Sequence, residues 1–173
     1  MKYVKSYYND ANGKISKFKN GLDIANDLTN KLDNYVYDIL TKSKLEGEAT
    51  YLIASKLNSY KEDLEKLTKK SYEFCDSAIS KNSEISGLFG EEYTEVSDEK
   101  LSRINDKIEK IKELIQSSNS ILNSISFENT ELRSYWKYNI SQYNTTLSAL
   151  EEDYNKLNEC LQSIKTADGN FNI

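Results

Sequence analysis

The feature of this sequence that most constrains its fold is the complete absence of proline from its 173 residues. Proline inside a helix costs about 3 kcal/mol, because its ring removes a backbone hydrogen bond and clashes with the preceding turn. Sandwiches and loop-rich folds use proline readily in their turns. The chain is therefore suited to long, uninterrupted helices.

Charge and composition narrow the classes of function. A net charge of −5 disfavours nucleic acid as a partner, since binding to phosphates needs a basic face. The chain has no histidine, so it lacks the usual general base and the commonest metal ligand. Its acidic residues fall on polar faces or in a loop rather than in one apolar pocket. We therefore expect no enzymatic activity, no cofactor and no metal site.

Apolar residues recur every three or four positions over four stretches, which is the pattern of amphipathic helices. The stretches run from about Gly13 to Lys42, from about Glu48 to Ile85, from Asp98 to about Ser124, and from about Thr130 to Lys165. Near-continuous heptads in the last two predict a coiled-coil seam. The stripe predicted for the second helix consists of Ile53, Leu57, Tyr60, Leu64, Leu67, Phe74 and Ala78.

Short connections join these segments, so helices that are neighbours in sequence are expected to pack antiparallel. The predicted fold class is all-α: an elongated antiparallel bundle of long helical hairpins with coiled-coil-like packing. It is predicted as a single domain with one hairpin at about 13–85, a loop at 86–97 and a second hairpin at about 98–166. Within the loop, Gly87 and Gly90 flank Leu88 and Phe89. This apolar pair either plugs the end of the bundle or contacts a partner.

Tyrosine is abundant, with 13 residues, and its positions suggest two roles. Four tyrosines on the apolar stripes are predicted to lie in the core or seam: Tyr35, Tyr60, Tyr143 and Tyr154. Tyr135, Trp136 and Tyr138 cluster at the start of the fourth helix, where core and partner surface are both open interpretations. These three residues and the loop pair Leu88 and Phe89 are the candidate partner-binding residues.

The remaining features have simple interpretations with one alternative each. Cys75 and Cys160 are predicted to be small, partly buried thiols, with a redox pair as the alternative. Lys14, Lys17 and Lys19 form a basic patch that is a solvated face by default and a membrane contact in the alternative reading. No stretch approaches the roughly 18 apolar residues of a membrane-spanning helix, and the N-terminus has no apolar run of signal-peptide length.

The turn between the first two helices reads Leu45-Glu46-Gly47-Glu48-Ala49. A large apolar residue two positions before glycine, followed by a helix that starts with alanine, resembles the WXG100-like helical hairpins of type VII secretion. With leucine in the tryptophan position it is most similar to the LXG domain, the N-terminal targeting half of secreted toxins in Gram-positive bacteria. The resemblance covers most of the chain in architecture, and its motif residues are Leu45, Gly47 and Ala49.

The resemblance implies a non-enzymatic interaction and secretion-targeting domain that binds small helical, WXG100-like partners and the secretion machinery. It also implies a protein that is cytoplasmic before export by a type VII route, without a cleaved signal peptide. Tyr72 and Asp76 match the Tyr-x-x-x-Asp export motif of the wider family, but inside the second helix, where a chance match is the simpler interpretation. The alternatives are a self-associating coiled-coil homodimer, a stand-alone helical secretion chaperone or adaptor, and a helical enzyme.

Overall fold

The computed structural model describes residues 1–42 and 47–169. Four long helices dominate: α1 (Lys5–Lys42), α2 (Glu48–Leu88), α3 (Asp98–Ser124) and α4 (Thr130–Gly169). Two three-residue strands, β1 (Lys2–Val4) and β2 (Glu95–Ser97), pair antiparallel with Tyr3 opposite Val96. The all-α prediction is confirmed, and the small sheet is a feature that the helical pattern did not predict.

The helices extend further than the apolar pattern indicated. α1 begins at Lys5 rather than at Gly13, since a glycine inside a helix costs only about 1 kcal/mol and does not end it. The entry to α1 is fixed by the Lys5 backbone N–H, which donates to the Thr94 carbonyl at 3.0 Å. α2 continues through Gly87 to Leu88 and ends before Gly90, which has a positive φ of 60°.

The described residues fall into two compact units. The first unit, Ser6–Ser86, contains the hairpin of α1 and α2. The second unit combines Met1–Lys5 with the described residues from Gly87 onward, and so contains the sheet, α3 and α4. The border between the units falls at the start of the predicted 86–97 loop, while the first five residues join the second unit because β1 pairs with β2.

The core of the second unit surrounds the sheet. Val96 on β2 is fully buried, as are Leu161 and Ile164 on α4. Ser97 caps α3, because its side chain accepts a hydrogen bond from the Lys100 N–H at 3.2 Å.

An ion-pair cluster lies at the same end of α3. The Asp98 carboxylate accepts from the Met1 amino group at 2.6 Å and from Lys165 Nζ at 2.7 Å. The hydrogen bonds from Lys165 and the amino group lower the pKa of Asp98 to about 2. The cluster therefore joins the start of the chain, α3 and α4 by charge.

The turn between α3 and α4 lies where the sequence placed it. Arg133 Nη1 donates to the carbonyls of Leu122 and Ile125, at 3.1 and 2.8 Å, which satisfies acceptors at the end of α3. The same guanidinium stacks over the exposed Phe127 ring, 4.4 Å from its centroid. Asn129 accepts from the Leu132 N–H at 3.2 Å and so caps α4.

Candidate docking surface

The first unit is a hairpin whose two helices stay in one register over most of its length. In each hydrogen-bonded pair between the helices, the α2 residue is as many positions after Gly47 as the α1 residue is before it, to within one residue. The hydrogen-bonded pairs are Asn9 with Ser86, Asn12 with Ser83, Lys19 with Asp76, Asp23 with Tyr72, and Asp33 with Lys61. This constant register makes α1 and α2 an antiparallel pair that turns at Gly47.

A row of buried and half-buried residues at heptad spacing runs along each helix, and we call these two rows the seam. On α1 the seam residues are Tyr8, Ala11, Ile15, Leu22, Ala25, Thr29, Leu32, Val36 and Ile39. On α2 they are Ala54, Leu57, Lys61, Thr68, Ser71, Cys75, Ala78, Asn82 and Ile85. On α2 most seam side chains are small, whereas the seam residues of α1 include larger apolar side chains. The larger residues of α1 therefore pack against the small residues of α2.

Residues that directly follow a seam residue form one flank of the hairpin, which we call the clasped flank. Asn12, Asp33 and Tyr72 lie here, and each takes part in one of the inter-helix hydrogen bonds. The bond to Asp23 raises the pKa of Tyr72 to about 12, and the bond to Asp33 raises the pKa of Lys61. Polar contacts therefore hold the helices together along this flank.

Residues that directly precede a seam residue lie on the opposite flank, because one helical step rotates a side chain by about 100°. On α2, from position 53 to position 74, every seventh residue is a large apolar residue that directly precedes a seam residue. On α1, Leu28 and Tyr35 also directly precede seam residues. Together with Ile24, and with Leu64 at a seam position, they form a surface that we call the open face: Ile24, Leu28, Tyr35, Ile53, Tyr60, Leu64, Leu67 and Phe74. Each of these side chains is between 45% and 66% exposed.

The two rows of the open face belong to the same side of the hairpin. An antiparallel helix pair has an approximate twofold axis normal to the plane of the helices. Rotation about this axis brings the position before a seam residue on one helix onto the position before a seam residue on the other. In the observed register Leu28 is level with Leu67, and Tyr35 is level with Tyr60. The open face is thus one continuous surface rather than scattered exposed residues.

The size of the open face is informative. Eight large side chains, each about half exposed, present on the order of 800 Å² of surface, which is the area that one partner contributes to a typical interface. Contiguous apolar patches above a few hundred Å² are uncommon on monomeric proteins and mark interaction sites. The open face therefore has the extent of a docking surface.

The open face corrects part of the sequence analysis. The prediction that Ile53, Tyr60, Leu64, Leu67 and Phe74 pack as the stripe of α2 is wrong, since all five are exposed; Leu57 and Ala78 do lie in the seam. The prediction is also wrong for Tyr35. The sequence carries the missed signal, namely a second row of small residues, one position later, at Ala54, Thr68 and Cys75.

The partner-binding residues predicted from the sequence lie in the second unit and differ in exposure. Tyr135 and Tyr138 are well exposed, and Tyr135 meets the half-buried Trp136 edge to face with ring centroids 5.6 Å apart. Leu88 is half-buried, and its carbonyl accepts from Cys160 Sγ at 3.3 Å. Phe89 is almost completely buried, so it fills the core, one of its two predicted roles, and is not part of an exposed surface.

The motif residues of the turn lie partly within the described chain. Leu45 lies outside the described residues. Gly47 has a positive φ of 104°, as expected for a glycine that reverses the chain, and its carbonyl accepts from the Thr50 N–H at 3.2 Å. Ala49 lies in the first turn of α2 and is exposed.

The export-like motif residues already have partners inside the hairpin. Tyr72 donates to Asp23, and Asp76 accepts from Lys19 Nζ. Both side chains hold α1 against α2, which accounts for them structurally.

The structure also bears on the two cysteines, on metal binding and on membrane spans. Cys75 is a buried free thiol and Cys160 a half-buried one, and burial raises the pKa of Cys160. Over residues 1–42 and 47–169 there is no cluster of three or more side chains that could hold a metal ion. None of the helices in the described chain is long and apolar enough to cross a membrane.

Comparison with known proteins identifies no relative: no protein-family model, curated protein or solved structure matches the chain.

Proposed function

We propose that this chain is a non-enzymatic interaction domain that binds small helical proteins through the open face of the first unit. The observation that carries the proposal is the continuous apolar surface opposite the clasped flank. Burying that surface against a partner gains roughly 25 cal/mol for each Å² of apolar area, less the cost of association.

The biological role proposed for this binding is targeting to a type VII secretion system. The support is the helix-turn-helix arrangement around Gly47, together with the resemblance of the turn to the LXG domain. In this role the chain is made in the cytoplasm, joins small WXG100-like proteins there, and is exported without a cleaved signal peptide.

The direct test of binding is co-expression of the full chain with WXG100-like proteins of a type VII secretion system. Size-exclusion chromatography with light scattering should show a stable complex of defined stoichiometry. A chain that forms only a homodimer under these conditions would instead support the self-associating coiled-coil alternative.

The test of targeting is export of the tagged chain from a Gram-positive host that has a type VII system. Deleting the ATPase of that system should abolish export, while a protein exported by the general secretory route serves as the control. Export that continues without the ATPase would overturn the targeting role and leave the binding role standing.

A further inference from the structure

The shape of the open face restricts what can occupy it. The α2 row from Ile53 to Phe74 extends over 21 residue steps, or roughly 32 Å at 1.5 Å per residue. The α1 row from Ile24 to Tyr35 lies across the seam from about half of this length, and Leu64 occupies a seam position between the two rows. Two parallel rows separated by a seam form a shallow groove, which suits a rod such as a third α-helix.

The spacing of the α2 row also favours a helical partner. Ile53, Tyr60, Leu67 and Phe74 follow one another at intervals of seven residues without a break. A strict heptad keeps one ridge of a helix facing a partner helix over several turns, which a straight 3.6-residue repeat does not do. The row therefore fits a helical partner better than a membrane surface, where no fixed register is needed.

The charges beside the open face identify the chemistry of the partner. On both helices, exposed lysines lie three residues after a position in one of the two heptad-spaced rows that carry the open face: Lys17, Lys31, Lys56 and Lys70. Four acidic residues, Asp10, Asp38, Asp63 and Glu84, occupy the same rows. Three further lysines, Lys14, Lys42 and Lys81, continue the rows that precede the seam, so seven lysines stand against four acidic residues on this side of the hairpin. The edge of the open face is thus net positive in a chain whose total charge is −5.

This charge distribution argues against a second copy as the occupant. Two open faces brought together would juxtapose two edges of net positive charge, and like charges across an interface oppose association. A partner with acidic residues beside its apolar stripe would instead be attracted and oriented.

We propose that the open face receives an amphipathic helix from a different protein, with apolar residues at heptad spacing over at least three heptads and acidic residues on both sides of the stripe. This inference rests on the proposed function, for which it specifies the surface and the partner. The mode is helix-in-groove recognition, in which the apolar stripe provides affinity and the charges set orientation and choice of partner.

The test uses the full chain and two designed helical peptides of 28 residues. Both peptides have the same apolar heptads, but one carries glutamate and the other lysine at the flanking positions. Fluorescence anisotropy at low ionic strength should show at least ten-fold tighter binding of the glutamate peptide, with the preference falling as salt is added. Equal affinity for the two peptides, or a preference for the lysine peptide, would overturn the charge argument.

Variants locate the binding surface. Leu67→Glu should weaken binding of the glutamate peptide at least ten-fold, whereas Tyr37→Glu, at an equally exposed position on the clasped flank, should leave it unchanged. Lys56→Glu combined with Lys70→Glu should reverse the preference between the peptides. Circular dichroism confirms that each variant is helical. Unchanged binding by a folded Leu67→Glu chain would remove the open face as the site.

Two further measurements address the other occupants. Light scattering of the chain alone should give a monomer, and a dimer that Leu67→Glu dissociates would overturn the proposal in favour of a second copy. Flotation with vesicles of phosphatidylglycerol and phosphatidylcholine should recover no protein. Vesicle binding that Leu67→Glu abolishes would overturn it in favour of a membrane.

The results also separate this inference from the proposed function. If a native helical partner binds equally well to the wild-type chain and to Leu67→Glu, the role of binding helical proteins stands, but the open face is not the surface that binds them. If the glutamate peptide binds at the open face but no native helical partner does and export is absent, the surface stands and the proposed function fails.

Discussion

At the scale of single residues, Gly47 is the position whose chemistry is most tightly constrained. Its φ of 104° lies in a region that L side chains rarely adopt, although no neighbouring atom would obstruct an added Cβ. The need for glycine is therefore a property of the backbone and not of packing.

Gly47→Ala should destabilise the first unit by about 1–2 kcal/mol, the cost of placing an L residue in left-handed backbone. The matched control is Gly13→Ala, inside α1, where alanine should instead stabilise by about 0.5–1 kcal/mol. Urea unfolding followed by circular dichroism measures both changes. The same sign for the two substitutions would contradict the assignment of the turn.

Asp98 is the carboxylate with the clearest pH dependence. Its pKa is about 2 in the folded protein and about 3.9 in an unfolded chain. A lowered pKa contributes stability that is present above the unfolded value and is lost as the pH falls through the folded value. This contribution should therefore disappear between roughly pH 4 and pH 2.

The variant Asp98→Asn tests that dependence. Its thermal midpoint should lie below that of the wild type by a constant amount from pH 5 to pH 7, and the two midpoints should converge as the pH approaches 2. Asp63→Asn is the control, since Asp63 is an exposed carboxylate on α2. A difference that stayed constant down to pH 2 would exclude the ion-pair cluster as its source.

At the scale of secondary-structure elements, small residues in the seam decide how α1 and α2 meet. Ala54 and Cys75 are almost completely buried on α2, and Thr29 is buried on α1, where its hydroxyl donates to the Ala25 carbonyl at 3.0 Å. Their small volume leaves the larger neighbours one position earlier on the outside. The composition of the seam thus creates the open face.

Ala54→Leu should destabilise the first unit by about 1–3 kcal/mol, because added methylene groups do not fit a packed seam. Ala49→Leu, in the exposed first turn of the same helix, is the control and should change stability by less than about 0.5 kcal/mol. Urea unfolding followed by circular dichroism distinguishes the two. Equal effects would show that position 54 does not lie in a packed seam.

At the scale of the whole molecule, each of the two units contains one of the two thiols. Cys75 is buried in the first unit, and Cys160 is half-buried in the second. Tyr3, although near the start of the chain, is buried in the second unit, where β1 pairs with β2. Each thiol therefore monitors the opening of its own unit.

Tyr3→Ala should accelerate chemical labelling of Cys160 at least ten-fold and leave labelling of Cys75 within two-fold of the wild type. Truncating a buried aromatic side chain costs about 3–5 kcal/mol, and here that cost falls on the second unit. Mass spectrometry of the labelled protein gives both rates. The converse control is Ala54→Leu, which should accelerate labelling of Cys75 alone. Equal acceleration of both thiols in either variant would mean that the two units open together.

The sequence by itself determined the class of fold and the number and order of the long helices. The absence of proline and the apolar periodicity are local properties of the chain, and they act directly on helix formation. The turn at Gly47 and the cap at Ser97 were predictable for the same reason, since each depends on one residue and its immediate backbone. The position of the core in the α3 and α4 heptads also follows from their nearly unbroken spacing.

Only the tertiary structure decided which of two adjacent stripes on α2 is buried. Ile53 and Ala54 belong to neighbouring rows with the same heptad spacing, and hydrophobicity favours the row of large residues. Packing against α1 selects the row of small ones, because buried area depends on how closely two helices approach and not on the size of one side chain. The sheet of β1 and β2 could likewise not be predicted from a local sequence pattern, since its pairing joins segments more than 90 residues apart.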